Sequence, residues 1–345
     1  MSEYALLLLP SANRVYTDAA ATLTLAELAV FNRAVLDGRI TDPAATTIGG
    51  VPYVTFGADE LTERDLALLA NLSSIFALYE VTGGLLRPVP LTRLDRFDDD
   101  LLTILKYQGK TNEQFTKLLL NVTLLASGFA DQMLERRFRV LDPLCGRGTT
   151  LNQAIMYGYD AAGIDLDQKD FEAYAAFIQT WLKRKRLKHQ AEFGPVRRER
   201  RVIAKRLSVT LAADKEEYRA GNTQILDVVN ADTLRCEEFY RDEAFDLVVV
   251  DAPYGVQHGS RTADRGLSRG PAGLLTDAVP RWVRLLRPGG ALGISWNTLG
   301  ARRQVLADLL TGSGLVVMDD GPYLEFAHRV DQAIQRDLIV ARLPG

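Results

Sequence analysis

Two stretches of this sequence place chemically useful residues directly after an apolar strand. The first is Phe138–Thr150, with the sequence FRVLDPLCGRGTT, in which a short strand leads into a turn that contains Gly146 and Gly148. A helix is predicted from about Leu151. Glycine lets the backbone approach a ligand closely, and the N–H groups of the turn and of the helix start form a polar cradle beside the strand end. This stretch predicts a cofactor site.

The second stretch, FDLVVVDAPYG, predicts another buried strand, which ends at Asp251. An exocyclic amino group of a nucleobase is a poor nucleophile because its lone pair is delocalised into the ring. Two acceptors on its N–H groups hold it toward the tetrahedral geometry that methyl transfer needs. Asp251 supplies one acceptor, and the carbonyl of Ala252 or Pro253 supplies the second. Tyr254 offers a flat surface for base stacking, worth roughly 1–3 kcal/mol. These four residues are the predicted catalytic group; the alternative is a plain β-turn.

Acidic residues follow three consecutive predicted strands. Asp142 can hold the ammonium of a methionine moiety, and Asp165, 23 positions later, can accept both hydroxyls of a ribose. Asp232 can accept from an adenine amino group. A single aspartate at such a position is usually a turn former, but the series predicts S-adenosylmethionine as cofactor. The predicted cofactor-binding residues are Asp142, Pro143, Cys145, Gly146, Gly148, Thr149, Asp165, Leu166, Asp232 and Thr233.

Two other chemistries are disfavoured. A dinucleotide site has a third glycine three positions after Gly148, where this chain has Leu151. Methylation of pyrimidine C5 uses a cysteine in the region of the second stretch, which has none. Cys145 is therefore interpreted as a small turn residue. The two cysteines and three scattered histidines do not have zinc-site spacing, so no metal is expected.

The composition is that of an ordinary soluble globular protein: 345 residues, 47% hydrophobic, 25% charged, with a net charge of −3. No segment has the pattern of a signal peptide or the length of a membrane span. These features predict a cytoplasmic location.

Strand and helix patterns alternate from residue 138 onward, which predicts a parallel sheet covered on both faces. The fold expected is α/β: the Rossmann-like, seven-stranded sheet of a class I methyltransferase, with an antiparallel last strand. Residues 1–106 are predicted to form a small N-terminal α+β domain that presents substrate or serves in packing or dimerisation. Residues 107–345 are predicted to form the catalytic domain, with a basic insert at 183–222.

The basic insert concentrates positive charge on an acidic protein. From Lys183 to Arg206 it has eleven basic residues and two acidic ones, a local charge of about +9. Such a segment predicts a phosphate-binding face for tRNA or another RNA. The alternative is a solvated helix face that pairs with acids elsewhere. Few aromatic residues interleave the charges, so the segment would position RNA and would not read its sequence.

The motifs at Asp142–Thr149 and Asp251–Gly255 resemble those of RNA guanosine-N2 methyltransferases that are usually associated with a THUMP domain. The likeness is greatest to the family that methylates guanosine 10 of tRNA, and it extends to Lys110–Thr116 and Phe326–Asp331, so that it covers about 107–345. The resemblance implies guanine N2 in tRNA as the target. Ala252 stands where the family has a proline, and the N-terminal domain is shorter than a ferredoxin-like plus THUMP module.

Three alternatives remain open at the level of sequence. A DNA adenine-N6 or cytosine-N4 methyltransferase would share the Asp251 motif. A non-catalytic RNA-binding protein could retain the cofactor fold. A small-molecule methyltransferase would not depend on the basic insert. The oligomeric state is not predicted.

Overall fold

The computed structural model describes residues 2–10, 14–105, 107, 110–252 and 271–345. The predictions for Pro253 and Tyr254 therefore lie outside the described residues.

The first hundred residues contain a five-stranded antiparallel sheet with two helices. The spatial order is β2-β3-β1-β4-β5. The first four strands and the two helices have the βαββαβ order of a ferredoxin-like unit, which confirms the predicted small α+β arrangement. The elements are β1 (Ser2–Leu8), α1 (Arg14–Ala34), β2 (Thr41–Ile48), β3 (Val51–Ala58), α2 (Glu63–Leu69), β4 (Ile75–Thr82) and β5 (Leu85–Val89).

A second, larger sheet follows, and most of its strands alternate with helices as the sequence predicted. In the described residues it has ten strands and not the predicted seven, because the basic insert adds a two-stranded hairpin and a short strand forms at His328–Arg329. The elements are α3 (Asp100–Thr103), α4 (Glu113–Ala126), β6 (Arg139–Asp142), α5 (Thr149–Met156), β7 (Asp160–Asp165), α6 (Gln168–Arg184), β8 (His189–Arg198), β9 (Arg201–Leu211), α7 (Lys215–Arg219), β10 (Gln224–Asn230), β11 (Phe245–Asp251), α8 (Pro271–Leu285), β12 (Leu286–Asn297), α9 (Arg303–Gly312), β13 (Val316–Val317), β14 (His328–Arg329) and β15 (Gln335–Arg342). Short 3-10 helices occur at Ala130–Gln132, Thr233–Glu238 and Gly321–Leu324.

The strand order of the large sheet is β13-β15-β12-β11-β6-β7-β10-β9-β8. Strands β12, β11, β6, β7 and β10 are mutually parallel, and β15 runs antiparallel between β12 and β13. The chain builds outward from β6 to β10 and then returns to add β11 on the other side of β6. That reversal opens a crevice at the carboxyl ends of β6 and β11, where ligands bind in open α/β sheets.

The basic insert is mostly strand and only partly helix. Strands β8 and β9 form an antiparallel hairpin that pairs with β10 and extends the sheet at that edge. Its inner face is apolar, since Leu207 and Val209 are buried in the core.

A buried polar cluster connects the two sheets. The carboxylate of Glu27 on α1 accepts from the backbone N–H of Ser73 (2.9 Å) and from Asn121 Nδ2 on α4 (2.8 Å). Thr24 and Glu27 have the spacing of a capping box, which would predict a helix start at Thr24, but α1 begins at Arg14 and the Thr24 hydroxyl donates to the carbonyl of Ala20 within that helix. Glu27 therefore stabilises the contact between α1 and α4.

Candidate active site

The turn after β6 is shaped by two glycines with left-handed backbone, Gly146 at φ 50° and Gly148 at φ 78°. They face different surroundings. A Cβ on Gly148 would lie 2.3 Å from the ring of Tyr174, so this position needs glycine for packing against α6. A Cβ on Gly146 would meet no heavy atom of the described residues within 4 Å, so this side of the turn is open to them. The turn thus packs closely against α6 at Gly148 and has open space beside it at Gly146.

Asp165 holds the turn in place. Its carboxylate accepts from the backbone N–H of Gly146 (2.7 Å) and from that of Asp167 (2.8 Å). The pKa of Asp165 is raised to about 6, first by burial and then by the nearby carboxylates of Asp170 and Asp167. The predicted ribose acceptor is thus also the residue that ties the end of β7 to the turn after β6.

Asp142, at the end of β6, is buried with 3% of its surface exposed. It accepts from the backbone N–H of Leu144 (3.1 Å) and bonds to the Thr150 side chain. Its pKa is raised to about 7, first by burial and then by the charges of Asp251 and Asp165. The structure thus brings together three of the predicted acids in one crevice.

Asp251, at the end of β11, receives hydroxyl hydrogen bonds on both oxygens. Ser295 Oγ on β12 donates to Oδ1 (2.9 Å), and Thr111 Oγ1 donates to Oδ2. The neighbouring Ala252 is buried, and its N–H donates to the carbonyl of Ser295 (2.9 Å). Asp251 is therefore oriented from two sides, by the next strand and by the segment that precedes α4.

Sequence reasoning missed Thr111 and Ser295. The sequence before α4 offers Thr111 or Asn112 as its cap, and the cap is Asn112, whose side chain accepts from the N–H of Phe115 (3.1 Å); the contact of Thr111 with Asp251 had no local signal. Ser295 had a readable signal, because it is a lone hydroxyl in the apolar strand ALGISW. It is fully buried, and a buried hydroxyl needs a partner.

Tyr107, in the segment that precedes α4, lies over the turn after β6. Its hydroxyl lies 3.2 Å from Thr149 Oγ1 at the start of α5. The guanidinium of Arg147 lies 4.8 Å from the Tyr107 ring centroid and donates to Asp170. The residues before α4 thus connect the turn after β6 with the Asp251 carboxylate.

Asp232 and Thr233 follow β10 at the same edge of the sheet. Asp232 accepts from the N–H of Leu234 (2.9 Å), and the Thr233 hydroxyl accepts from Trp282 Nε1 (2.9 Å). Thr233 is buried, whereas Leu166 is 44% exposed beside the crevice. Roles for these three in cofactor binding stay predictions.

Cys145 is buried, and burial raises the pKa of its thiol well above the ordinary value. A Cβ built on Gly163 would lie 2.8 Å from its sulfur, so the thiol packs against β7. Its surroundings are those of a structural residue, as the sequence predicted, because a protonated thiol is a poor nucleophile.

The crevice fits a cationic cofactor. The pKa values of Asp142 and Asp165 are determined mainly by burial, by hydrogen-bond donors and by other carboxylates. In the described part of the chain, no lysine or arginine is among the main causes. A buried carboxylate whose pKa is raised by neighbouring carboxylates favours a positive ligand. S-adenosylmethionine carries an ammonium and a sulfonium, and when bound it supplies an electrophilic methyl group. The described residues include no cluster of potential metal ligands.

The strand order, the glycine turn and the acids at the strand ends define a class I methyltransferase, whose cofactor is S-adenosylmethionine. Residues 125–276 match the model of the UPF0020 family, described as an RMKL-like methyltransferase domain. The matched residues run from the end of α4 into α8 and include both predicted motifs. No curated protein matches this chain.

Several solved structures are similar in fold. A TehB-like methyltransferase from Corynebacterium glutamicum is 15% identical, covers 62% of this chain and 84% of its own, and has a TM-score of 0.33. An N-methyltransferase from Burkholderia thailandensis with bound S-adenosylhomocysteine is 15% identical, with coverages of 70% and 94% and a TM-score of 0.36. A putative RNA methyltransferase from Pyrococcus horikoshii is 13% identical, with coverages of 71% and 89% and a TM-score of 0.38. Likeness at this level carries no information about substrate.

No helix in the described ranges combines the length and the apolar character needed to cross a membrane.

Proposed function

We propose that this protein transfers a methyl group from S-adenosylmethionine to an exocyclic amino group of an RNA base, specifically N2 of guanine in tRNA. The observation that carries the proposal is the position of Asp251. β11 pairs directly with β6, so the Asp251 carboxylate shares one crevice with the Asp142 end of the cofactor turn.

Asp251 acts as the acceptor that orients the target amine. The hydroxyls of Ser295 and Thr111 fix its two oxygens, and a carboxylate oxygen can accept more than one hydrogen bond. When bound, S-adenosylmethionine would supply the methyl group, with the electrons of its broken C–S bond remaining on sulfur. Water or the Asp251 carboxylate would accept the N–H proton that the methylated amine loses. Alignment of the reacting atoms lowers most of the remaining barrier.

The second acceptor and the stacking surface are assigned to the Ala252–Tyr254 segment. Pro253 and Tyr254 lie outside the described residues, so their roles are predictions from the motif. A base in a helix would have to be unstacked or flipped to reach this crevice.

RNA as substrate is supported by the resemblance of the motifs and by the basic segment Lys183–Arg206. The division at about residue 106 and a substrate-presenting role for the N-terminal sheet remain predictions. The buried Glu27–Asn121 contact supports a fixed placement of that sheet beside α4.

The test is tritiated methyl transfer to bulk tRNA that lacks modifications, followed by mass spectrometry of the nucleosides. We expect N2-methylguanosine from the natural protein and none from Asp251→Ala. Asp308→Ala, an exposed aspartate on α9, is the matched control and should retain full activity. Incorporation into DNA but not RNA would select the DNA alternative. No transfer to any RNA by a protein that binds the cofactor would refute the proposal.

A further inference from the structure

The two halves of the basic segment Lys183–Arg206 lie at opposite ends of the strands of the large sheet. β9 runs antiparallel to β10, with Lys205 opposite Asn230, and Asn230 lies opposite Asp165 in the next strand. Lys205 is therefore level with the rim that holds the predicted cofactor site. The hairpin residues 196–204 continue beyond that rim.

The other half of the segment lies at the amino ends of the strands. Helix α6 begins beside Asp165 and ends at Arg184, which carries the chain back to the amino ends of the strands. There His189 pairs with Leu211, opposite the first residue of β10, and the N–H of Ala212 donates to the carbonyl of Lys188. Lys183 to Lys188 are thus separated from the crevice by the length of β10.

The base of the hairpin is fixed on both faces. On one face Phe193 stacks on Phe171 of α6, with ring centroids 5.7 Å apart. On the other face Arg206 forms an ion pair with Asp227, and Val196 and Ala204 pack into the core. The hairpin is therefore a supported arm and not a loose loop.

The turn of the arm has strained backbone. Arg198 pairs with Arg201, and the two residues between them, Glu199 and Arg200, have φ values of 50° and 64°. Left-handed backbone at both turn residues is the geometry of the tightest hairpins, normally built with glycine or asparagine. Strain retained at a charged tip is typical of a functional site.

The tip carries four exposed arginines. Arg198 lies 3.6 Å from Glu238, so it also ties the arm to the loop after β10. Within the described residues, no ion pair is formed by the other three, Arg197, Arg200 and Arg201. At the amino ends of the strands, by contrast, Lys185 forms ion pairs with Asp98 (2.7 Å) and Asp100 (2.6 Å).

Strand geometry gives the arm's reach. From Lys205 to Arg201 the strand rises by about 13 Å, and the spacing of about 4.8 Å per strand places β9 and β8 roughly 20–25 Å from β11. A base held at Asp251 would therefore have the tip beside phosphates several nucleotides away along the same RNA.

We propose that the arm tip, through Arg197, Arg200 and Arg201, binds phosphates of the RNA that flank the target nucleotide, and that the Lys183–Lys188 end does not contact that RNA. This inference rests on the proposed function, because it takes RNA as the substrate. Each neutralised phosphate releases counterions, so the contacts have a measurable salt dependence.

The experiment measures binding of bulk tRNA by filter retention between 50 and 200 mM salt. The tip variant is Arg197→Gln/Arg200→Gln/Arg201→Gln, and the matched control is Lys183→Gln/Arg186→Gln/Lys188→Gln, with the same loss of charge. We expect the tip variant to bind at least tenfold more weakly, with a slope of log K against log salt reduced by about two to three. The control should stay within threefold of the natural protein, and cofactor affinity should not change in either variant.

A single substitution distinguishes the loss of a phosphate contact from misfolding of the arm. Arg200→Gly keeps a residue suited to the left-handed turn and removes one cation, so the salt slope should fall by just under one. An unchanged slope in both tip variants, or an equal loss in the control, would overturn the arm proposal while tRNA methylation persists. Absence of any RNA binding or methylation by the natural protein would instead refute the proposed function and this inference together.

Discussion

Two buried aspartates on neighbouring strands have opposite electrostatic surroundings. Asp246, at the start of β11, accepts from Arg136 (2.6 Å), from Arg287 (2.9 Å) and from the N–H of Arg139 (2.7 Å). Among the described residues, Asp142, at the end of β6, has a backbone N–H and a threonine hydroxyl as its donors. A buried carboxylate that two guanidiniums compensate is structural. One that other carboxylates surround is poised for a cationic ligand.

The largest effect tests the compensated residue. Asp246→Ala leaves Arg136 and Arg287 without their shared partner, and breaking a buried pair costs about 3 kcal/mol or more. We expect the free energy of unfolding to fall by about that amount in urea denaturation. Cofactor affinity of the folded protein should be unchanged. Similar losses of stability from Asp246→Ala and Asp142→Asn would break the comparison.

Asp142→Asn is expected to act in the opposite way. Removing the carboxylate should weaken S-adenosylmethionine binding by about 100-fold, since one charge-assisted contact is worth about 1.5–3 kcal/mol. The unfolding free energy at pH 8 should rise by about 2 kcal/mol, because a buried, uncompensated charge is removed. Calorimetry and urea denaturation measure the two quantities; tight cofactor binding by the variant would contradict the assignment.

The pH dependence sharpens the same point. The folded pKa of Asp142, about 7, lies above its unfolded value, so its contribution to stability is present below pH 4 and is lost as the pH rises toward 7. A cationic ligand needs the charged form, so cofactor affinity should increase by up to tenfold per unit between pH 5.5 and 7 and then level off. In Asp142→Asn the residual slope should come only from Asp165, with its pKa of about 6. An affinity that does not change over this range would contradict the role of Asp142.

Smaller effects are expected from the two hydroxyls on Asp251. Thr111→Val and Ser295→Ala each remove one orienting donor, worth about 1–1.5 kcal/mol. The value of kcat should fall about tenfold in each, while the cofactor Kd stays unchanged. Thr116→Val, on α4 away from Asp251, serves as the control for Thr111. A rise in cofactor Kd with no change in kcat would assign these hydroxyls to cofactor binding instead.

The smallest effect is expected at Cys145. Because its thiol is buried and protonated, Cys145→Ala should retain methyl transfer within threefold. It should lower the unfolding free energy by about 1 kcal/mol through lost packing. Loss of all transfer activity in a folded variant would make the thiol catalytic.

Much of this molecule was predictable from local patterns. The strands β6, β7, β10 and β11 were predicted within a few residues, because a short apolar run that ends in Asp, Gly or Pro is a strong local signal. The helix α1 was less predictable: Thr24 resembles an N-cap, but its hydroxyl donates inside a helix that begins at Arg14. β2 and β5 were missed, since β2 is exposed and largely polar, and β5 (Leu85–Val89) is short and contains Pro88.

The sequence by itself determined the strand–turn–helix units and the residues at their ends, because hydrophobic period, glycines and acids act over a few positions. Only the tertiary structure decided which acid receives an arginine pair and that Thr111 and Ser295 converge on Asp251. It also decided that the basic segment is divided between opposite ends of the strands. Those outcomes depend on strand order and register, which join residues separated by up to 140 positions, and no local pattern encodes such distances.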